Sequence, residues 1–189
     1  IAPGMGFGTH PHDNMEIITI PLEGALEHKD SLDNVGCIET DEIQVMSAGT
    51  GIYHSEYNKN KDQSVSLLQL WVFPHTQNVR PRYDQKNIKD LKKTNSFYPI
   101  VSPNPEDSGL WIYVDALFQF WEFNEETNVK YSIHKDGNGV YVFIIEGEGI
   151  ILDKILGKRD ALGIWEADSF SINAKKNSKI LLLEIPMQQ

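Results

Sequence analysis

The sequence predicts an all-β protein built as two small β-barrel halves. Three observations carry this expectation. Short apolar runs recur along the chain with glycine or polar turns between them. Almost no stretch has a helical period. The second part of the chain also repeats the first faintly.

Glu16 to Leu22 is the clearest strand, rich in isoleucine and closed by a turn at Glu23-Gly24. Ala25 to Lys29 returns from that turn, and Val35 to Thr40, Ile43 to Ala48 and Ser64 to Phe73 follow. Asp84 to Lys93 reads as a short helix whose apolar face is only Ile88 and Leu91. Strands resume at Trp111 to Phe123, Val129 to Ile133, Val140 to Ile145, Ile150 to Asp153, Ser169 to Ile172 and Ile180 to Ile185. Even spacing of such strands points to a sandwich or barrel. In the repeat, Ile145-Glu146-Gly147 matches Leu22-Glu23-Gly24, and Glu42 to Ala48 is laid on Asp168 to Ala174. The proline-rich stretch from Pro74 to Pro105 separates the two parts. The expected organisation is a first barrel over 1–80, a connector over 81–108 and a second barrel over 109–189. The chain opens at Ile1 in mid-pattern, so the first strands of its N-terminal half are expected to be missing.

Composition narrows the function classes. The chain has 189 residues and a net charge of −10, which argues against direct nucleic-acid binding, because gripping phosphates needs a basic stripe. No apolar run approaches the length that spans a bilayer, so no membrane partner is expected. The single Cys37 rules out an internal disulfide and a cysteine zinc cage, and the expected compartment is the cytoplasm. Cys37 itself reads as a small buried apolar residue.

The chemistry concentrates in Gly4-Met5-Gly6-Phe7-Gly8-Thr9-His10-Pro11-His12. Two histidines two positions apart on an extended segment face the same side. His54-Ser55-Glu56 repeats that geometry with an imidazole and a carboxylate. Side by side, the two segments would bring three nitrogens and one oxygen to one point, a set suited to a divalent transition metal. The glycines at 4, 6 and 8 would let the backbone run close to it. The spacing matches a known signature: glycine, five residues, His-x-His, three residues, Glu16; then Gly51, two residues, His54, three residues, Asn58. That is the cupin pattern, and the expected fold is therefore a bicupin.

The sequence also resembles a narrower family, the pirins. Gly6 to His12, Leu22 to Ser31 and Met46 to Glu56 are similar to its central blocks, as are Leu68-Gln69-Leu70-Trp71-Val72 and Pro81-Arg82-Tyr83. The close match covers the first part of the chain, and the bicupin layout alone carries over beyond it. Where many pirins have Arg-Gly after the second histidine, this chain has Asp13-Asn14.

The resemblance implies one metal in the N-terminal half, held by His10, His12, His54 and Glu56, with Glu16 outside that set. Iron is the expected ion, although such ligands also accept manganese, nickel, copper or zinc. It further implies a quercetin 2,3-dioxygenase type of activity, in which a flavonol-like small molecule is opened by O2 and Glu56 is the catalytic base. The alternative it implies is an iron-binding regulator that acts through a protein partner without turnover. In the second half, the repeat carries His10 and His12 onto Ile133 and Lys135, and His54 onto the stretch between Asn177 and Ile180. No ligand cluster is expected there. His28 and His75 read as surface residues, and His134 as solvated or structural.

Overall fold

The computed structural model describes residues 1–187, and among them the regular structure is strands apart from one short 3-10 turn. The chain divides into two compact units, Ile1–Asp90 with Asn104–Val114, and Leu91–Pro103 with Asp115–Gln189. Along the chain the strands are β1 (Gly6–His12), β2 (Glu16–Glu23), β3 (Ala25–Asp30), β4 (Val35–Glu39), β5 (Glu42–Ser47), β6 (Ile52–Asn58), β7 (Ser66–Val72) and β8 (Arg82–Asn87). They continue as β9 (Phe97–Ser102), β10 (Leu110–Trp111), β11 (Leu117–Glu122), β12 (Thr127–Ser132), β13 (Asn138–Glu146) and β14 (Gly149–Ile151). The last four are β15 (Lys154–Leu156), β16 (Ala161–Ile164), β17 (Ser169–Ala174) and β18 (Lys179–Pro186). Among the described residues no helix is long and apolar enough to cross a membrane.

The first unit holds two four-stranded antiparallel sheets, in the orders β1-β6-β3-β4 and β7-β2-β5-β8. β2 is buried on both faces from Glu16 to Pro21, which is why its sequence runs Ile-Ile-Thr-Ile without polar alternation. β6 alternates instead: Ile52, His54, Glu56 and Asn58 face inward, and Tyr53 and Tyr57 face out. Small apolar clusters close this unit, one of Ile17, Met46, Ala48 and Ile52, another of Leu26, Ile38 and Val65. In the second unit β9-β11-β18-β13-β16 form one sheet and β12-β17-β14-β15 another, over a larger core that includes Trp121, Tyr131, Val142, Phe170 and Ile172.

Two sequence readings need correction. Asp84 to Lys93 is not a helix. Arg82–Asn87 is a strand paired with β5, and only Lys89–Leu91 makes a 3-10 turn. Pairing with a buried neighbour overrides a weak helical period that offered only two apolar residues.

The repeat is real, but its second alignment slips by one strand. In the first unit β6 lies between β1 and β3, and β2 between β5 and β7. In the second, β17 lies between β12 and β14, and β13 between β16 and β18. Glu42–Ser47 therefore matches Ala161–Ile164, and it is Ile52–Asn58 that matches Ser169–Ala174. The strands are short and similarly apolar, so the pattern alone did not penalise the slip. The turns after β2 and β13 do correspond, with Gly24 and Gly147 at φ of 80° and 79°.

Candidate metal centre

β1 and β6 run antiparallel with His10 opposite His54, so the two imidazoles face each other across the ladder. Their ring centroids are 4.3 Å apart, and His12 lies 5.0 Å from each. One ligand atom from each of the three histidines falls within 4.8 Å of the others. Gly6 makes this approach possible, since a Cβ there would overlap the backbone carbonyl of Glu56 on the facing strand. Gly4 and Gly8 meet no such crowding.

The ring nitrogens are prepared as ligands. His10 Nδ1 lies 2.8 Å from the carbonyl oxygen of Gly8, which can only accept, so Nδ1 carries the proton and Nε2 keeps its lone pair. His12 Nε2 and both ring nitrogens of His54 are buried without a hydrogen-bond partner. Orphaned polar atoms at this density call for an occupant. Burial, reinforced by His10, His28 and His12, pushes the His54 pKa down to about 3, and burial with His10 lowers that of His12. Both are therefore neutral near pH 7, the form that binds a metal.

Glu56 lies on the same inward face of β6 and is almost fully buried. Together with His28 and His54 it forms a second group of ligand atoms within 4.8 Å of one another. Gln69 on β7 donates its side-chain N–H to both carboxylate oxygens, at 2.8 and 3.1 Å. Trp71 Nε1 in turn donates to Gln69 Oε1 at 3.1 Å, while the Trp71 ring stands edge-on to His12. Burial pushes the Glu56 carboxyl above its ordinary range, against the lowering effect of Gln69.

His28 corrects the sequence reading most sharply. It is not a surface residue but fully buried, 5.4 Å from His54 between ring centroids. Its Nε2 lies 3.0 Å from Asp30 Oδ2 and its Nδ1 3.4 Å from Gln44 Nε2. Both nitrogens are thus engaged, unlike those of His54. The Asp30 carboxylate is buried, yet hydrogen bonds from His28, Asn34 and the backbone at Leu32 and Asn34 hold its pKa low. Strand alternation could have found this residue, because Leu26, His28 and Asp30 share one face of β3. Gln69 lay inside a recognisable strand, but nothing in its spacing marked it.

Other residues fall as follows. Glu16 is fully buried, belongs to neither group, and accepts from Ser47 Oγ at 2.7 Å. Cys37 is half-buried rather than buried, and burial together with Glu39 pushes its thiol up. His75 is exposed. Asn14 ties the end of β1 to Asn78, whose backbone N–H donates to Asn14 Oδ1 at 2.7 Å.

In the second unit, strand pairing replaces the offsets expected from sequence. Tyr131 faces Phe170 as His10 faces His54, and Ile172 and Ile151 stand where Glu56 and His28 stand. Ile133 then takes the place of His12. All five belong to or pack on the apolar core of that unit. His134 is exposed and bonds Glu184, a buried carboxylate that also accepts from Tyr131 and Asn138.

The family model described as Pirin matches residues 1–72, and the one described as Quercetinase C-terminal cupin domain matches residues 99–185. A quercetin 2,3-dioxygenase of Escherichia coli K12 is 34% identical over 98% of this chain and 79% of its own length. The chain belongs to the pirin family. A putative quercetin 2,3-dioxygenase of Zymomonas mobilis is 38% identical over 97% of this chain and 77% of that protein. The crystal structure of the E. coli bacterial pirin YhhW in complex with nickel(II) superposes with a TM-score of 0.91 at 34% identity, covering 98% of this chain and 79% of that one. The fold is accordingly the all-β bicupin of the pirins, and the histidine and glutamate cluster suits a single metal ion.

Proposed function

We propose that this pirin-family protein is a metal-dependent dioxygenase of the quercetin 2,3-dioxygenase type, opening a flavonol or related enol with O2. The ion, iron first among the candidates, would be held by His10, His12, His54 and Glu56. The observation that carries the reading is the convergence of three imidazoles, with buried and unpartnered nitrogens on His12 and His54, beside a buried carboxylate held by Gln69. His28 is left out of the set because Asp30 and Gln44 already engage its ring.

A divalent ion bound there supplies Lewis acidity that lowers the pKa of a substrate hydroxyl. The residues of the chain do the rest. Glu56 would accept the hydroxyl proton as general base on loosening its hold on the ion. Gln69 holds the carboxylate in one orientation, and the Trp71 N–H fixes Gln69. Trp71 is 54% exposed and leaves an aromatic surface open beside His12. A planar aromatic substrate can lie against it at modest cost.

The test is oxygen uptake with quercetin by the metal-loaded protein and by Glu56→Gln. The expected result is uptake abolished by chelation and slowed about a hundredfold in Glu56→Gln, with metal retained. Full metal occupancy without uptake on any flavonol would contradict the enzyme reading and leave the iron-binding regulator in its place.

A further inference from the structure

Tyr83 stands between two environments. Its ring lies against His28, with centroids 4.9 Å apart and planes inclined by 31°. It also lines a cavity of about 480 Å³ with Leu32, Asn34, Arg80, Arg82 and Tyr113. That volume falls within the range of small-molecule sites.

The cavity is unusual for this chain in its charge. The protein has 27 acidic residues against 17 lysines and arginines, yet the cavity wall carries two arginines and no carboxylate. Arg82 is held rigidly. Its Nη1 and Nη2 donate to the carbonyl oxygen of Trp111 at 3.1 and 2.5 Å, and its guanidinium sits 3.9 Å over the Trp111 ring. Its Nε is buried without an acceptor, and Glu16 and Asp84 nearby offset part of its charge. Arg80 is exposed and has no acidic partner among the described residues. A fixed cation and a free one at the wall of one cavity suit an oxyanion: the open fork of Arg80 matches carboxylate geometry, and Arg82 adds positive charge beside it. Leu32 and the ring of Tyr83 give the apolar remainder of the wall.

We propose that this cavity binds a small aromatic carboxylate, its carboxylate on Arg80 and Arg82 and its ring against Tyr83 and Leu32. The site is separate from the metal ligands and does not depend on the metal chemistry. The two places are linked by contacts. Asn34 on the cavity wall donates to both oxygens of Asp30, at 3.1 and 3.0 Å, and Asp30 holds His28 next to His54. An occupant touching Asn34 and Tyr83 therefore bears on the packing behind His54.

Calorimetric titration of the full chain with benzoate tests the proposal, using wild type, wild type stripped of metal by chelation, and Arg80→Ala. The exposed position of Arg80 keeps that variant folded. The expected result is saturable one-site binding that persists after metal is removed and is weakened about tenfold or more in Arg80→Ala. Inorganic phosphate should compete poorly, since it cannot use the apolar wall. Absence of saturable binding would overturn the proposal, as would binding lost on chelation or unchanged in Arg80→Ala. Equal affinity for phosphate would replace the aromatic carboxylate with a general anion.

Discussion

Gln69 grips both carboxylate oxygens of Glu56, at 2.8 and 3.1 Å, from a different sheet of the same unit. Replacing it with leucine would leave a buried carboxylate without its donor and the Trp71 N–H without its acceptor. With Glu56 as the proposed ligand and base, Gln69→Leu is expected to retain metal while kcat falls about 10–100-fold, the usual range for an outer partner of a metal ligand. Gln69→Glu should be worse, since it sets a second carboxylate against Glu56. Parallel measurement of metal content and oxygen uptake checks both.

Gly6→Ala should damage the site without touching a ligand. A methyl group there collides with the Glu56 backbone, so β1 must move off β6 and take His10 and His12 with it. The expected result is a folded protein with metal affinity reduced about tenfold or more. Titration of the metal-free variant with a divalent ion measures it, and the equivalent Gly8→Ala serves as the control because space is open there.

Glu16 gives a pH signature. Burial raises its pKa from 4.5 to about 7, against the lowering effect of Ser47, Arg82 and the Tyr113 backbone. The folded state thus holds this proton more tightly than the unfolded chain. Its contribution is fully favourable below about pH 4.5 and is lost as pH rises towards 7. Glu16→Gln keeps the Ser47 bond and removes the titration. The variant should gain stability relative to wild type between pH 5 and 8, by on the order of 3 kcal/mol at most. Denaturant midpoints at several pH values read this out, and parallel curves would contradict it.

Glu184 has the opposite sign. Burial would raise its pKa, but hydrogen bonds from His134, Tyr131 and Asn138 outweigh that and hold it low. It stabilises the second unit above the ordinary carboxylate range and stops doing so as pH falls through its depressed value. Glu184→Ala strips acceptors from Tyr131, Asn138 and the backbone N–H groups of His134 and Lys135. The expected loss is about 3 kcal/mol or more in urea unfolding, with metal binding in the first unit unchanged.

The fold and the histidine cluster were legible because both rest on local spacing. The His-x-His step on β1 and the His-x-Glu step on β6 need only strand alternation to face one way. What escaped depends on pairing between strands distant in sequence. His28 looks like a residue following a turn until β3 is seen between β4 and β6, which buries its inner face. Gln69 reaches Glu56 only because β7 and β6, from separate sheets, face each other across the interior. The repeat slipped for a related reason. Its true register follows the ladders and sets Tyr131 and Phe170 in the place of His10 and His54, a substitution of apolar rings for imidazoles that spacing alone cannot reveal.

The most direct test is the metal content of the purified protein by mass spectrometry, for wild type and for His12→Ala, with circular dichroism to confirm that both are folded. One equivalent of a divalent transition metal per wild-type chain, and a small fraction of that in folded His12→Ala, is the result expected if His10, His12, His54 and Glu56 hold a single ion. A wild-type chain that takes up no metal when offered it, or a variant that binds as fully as wild type, would contradict the account at its centre.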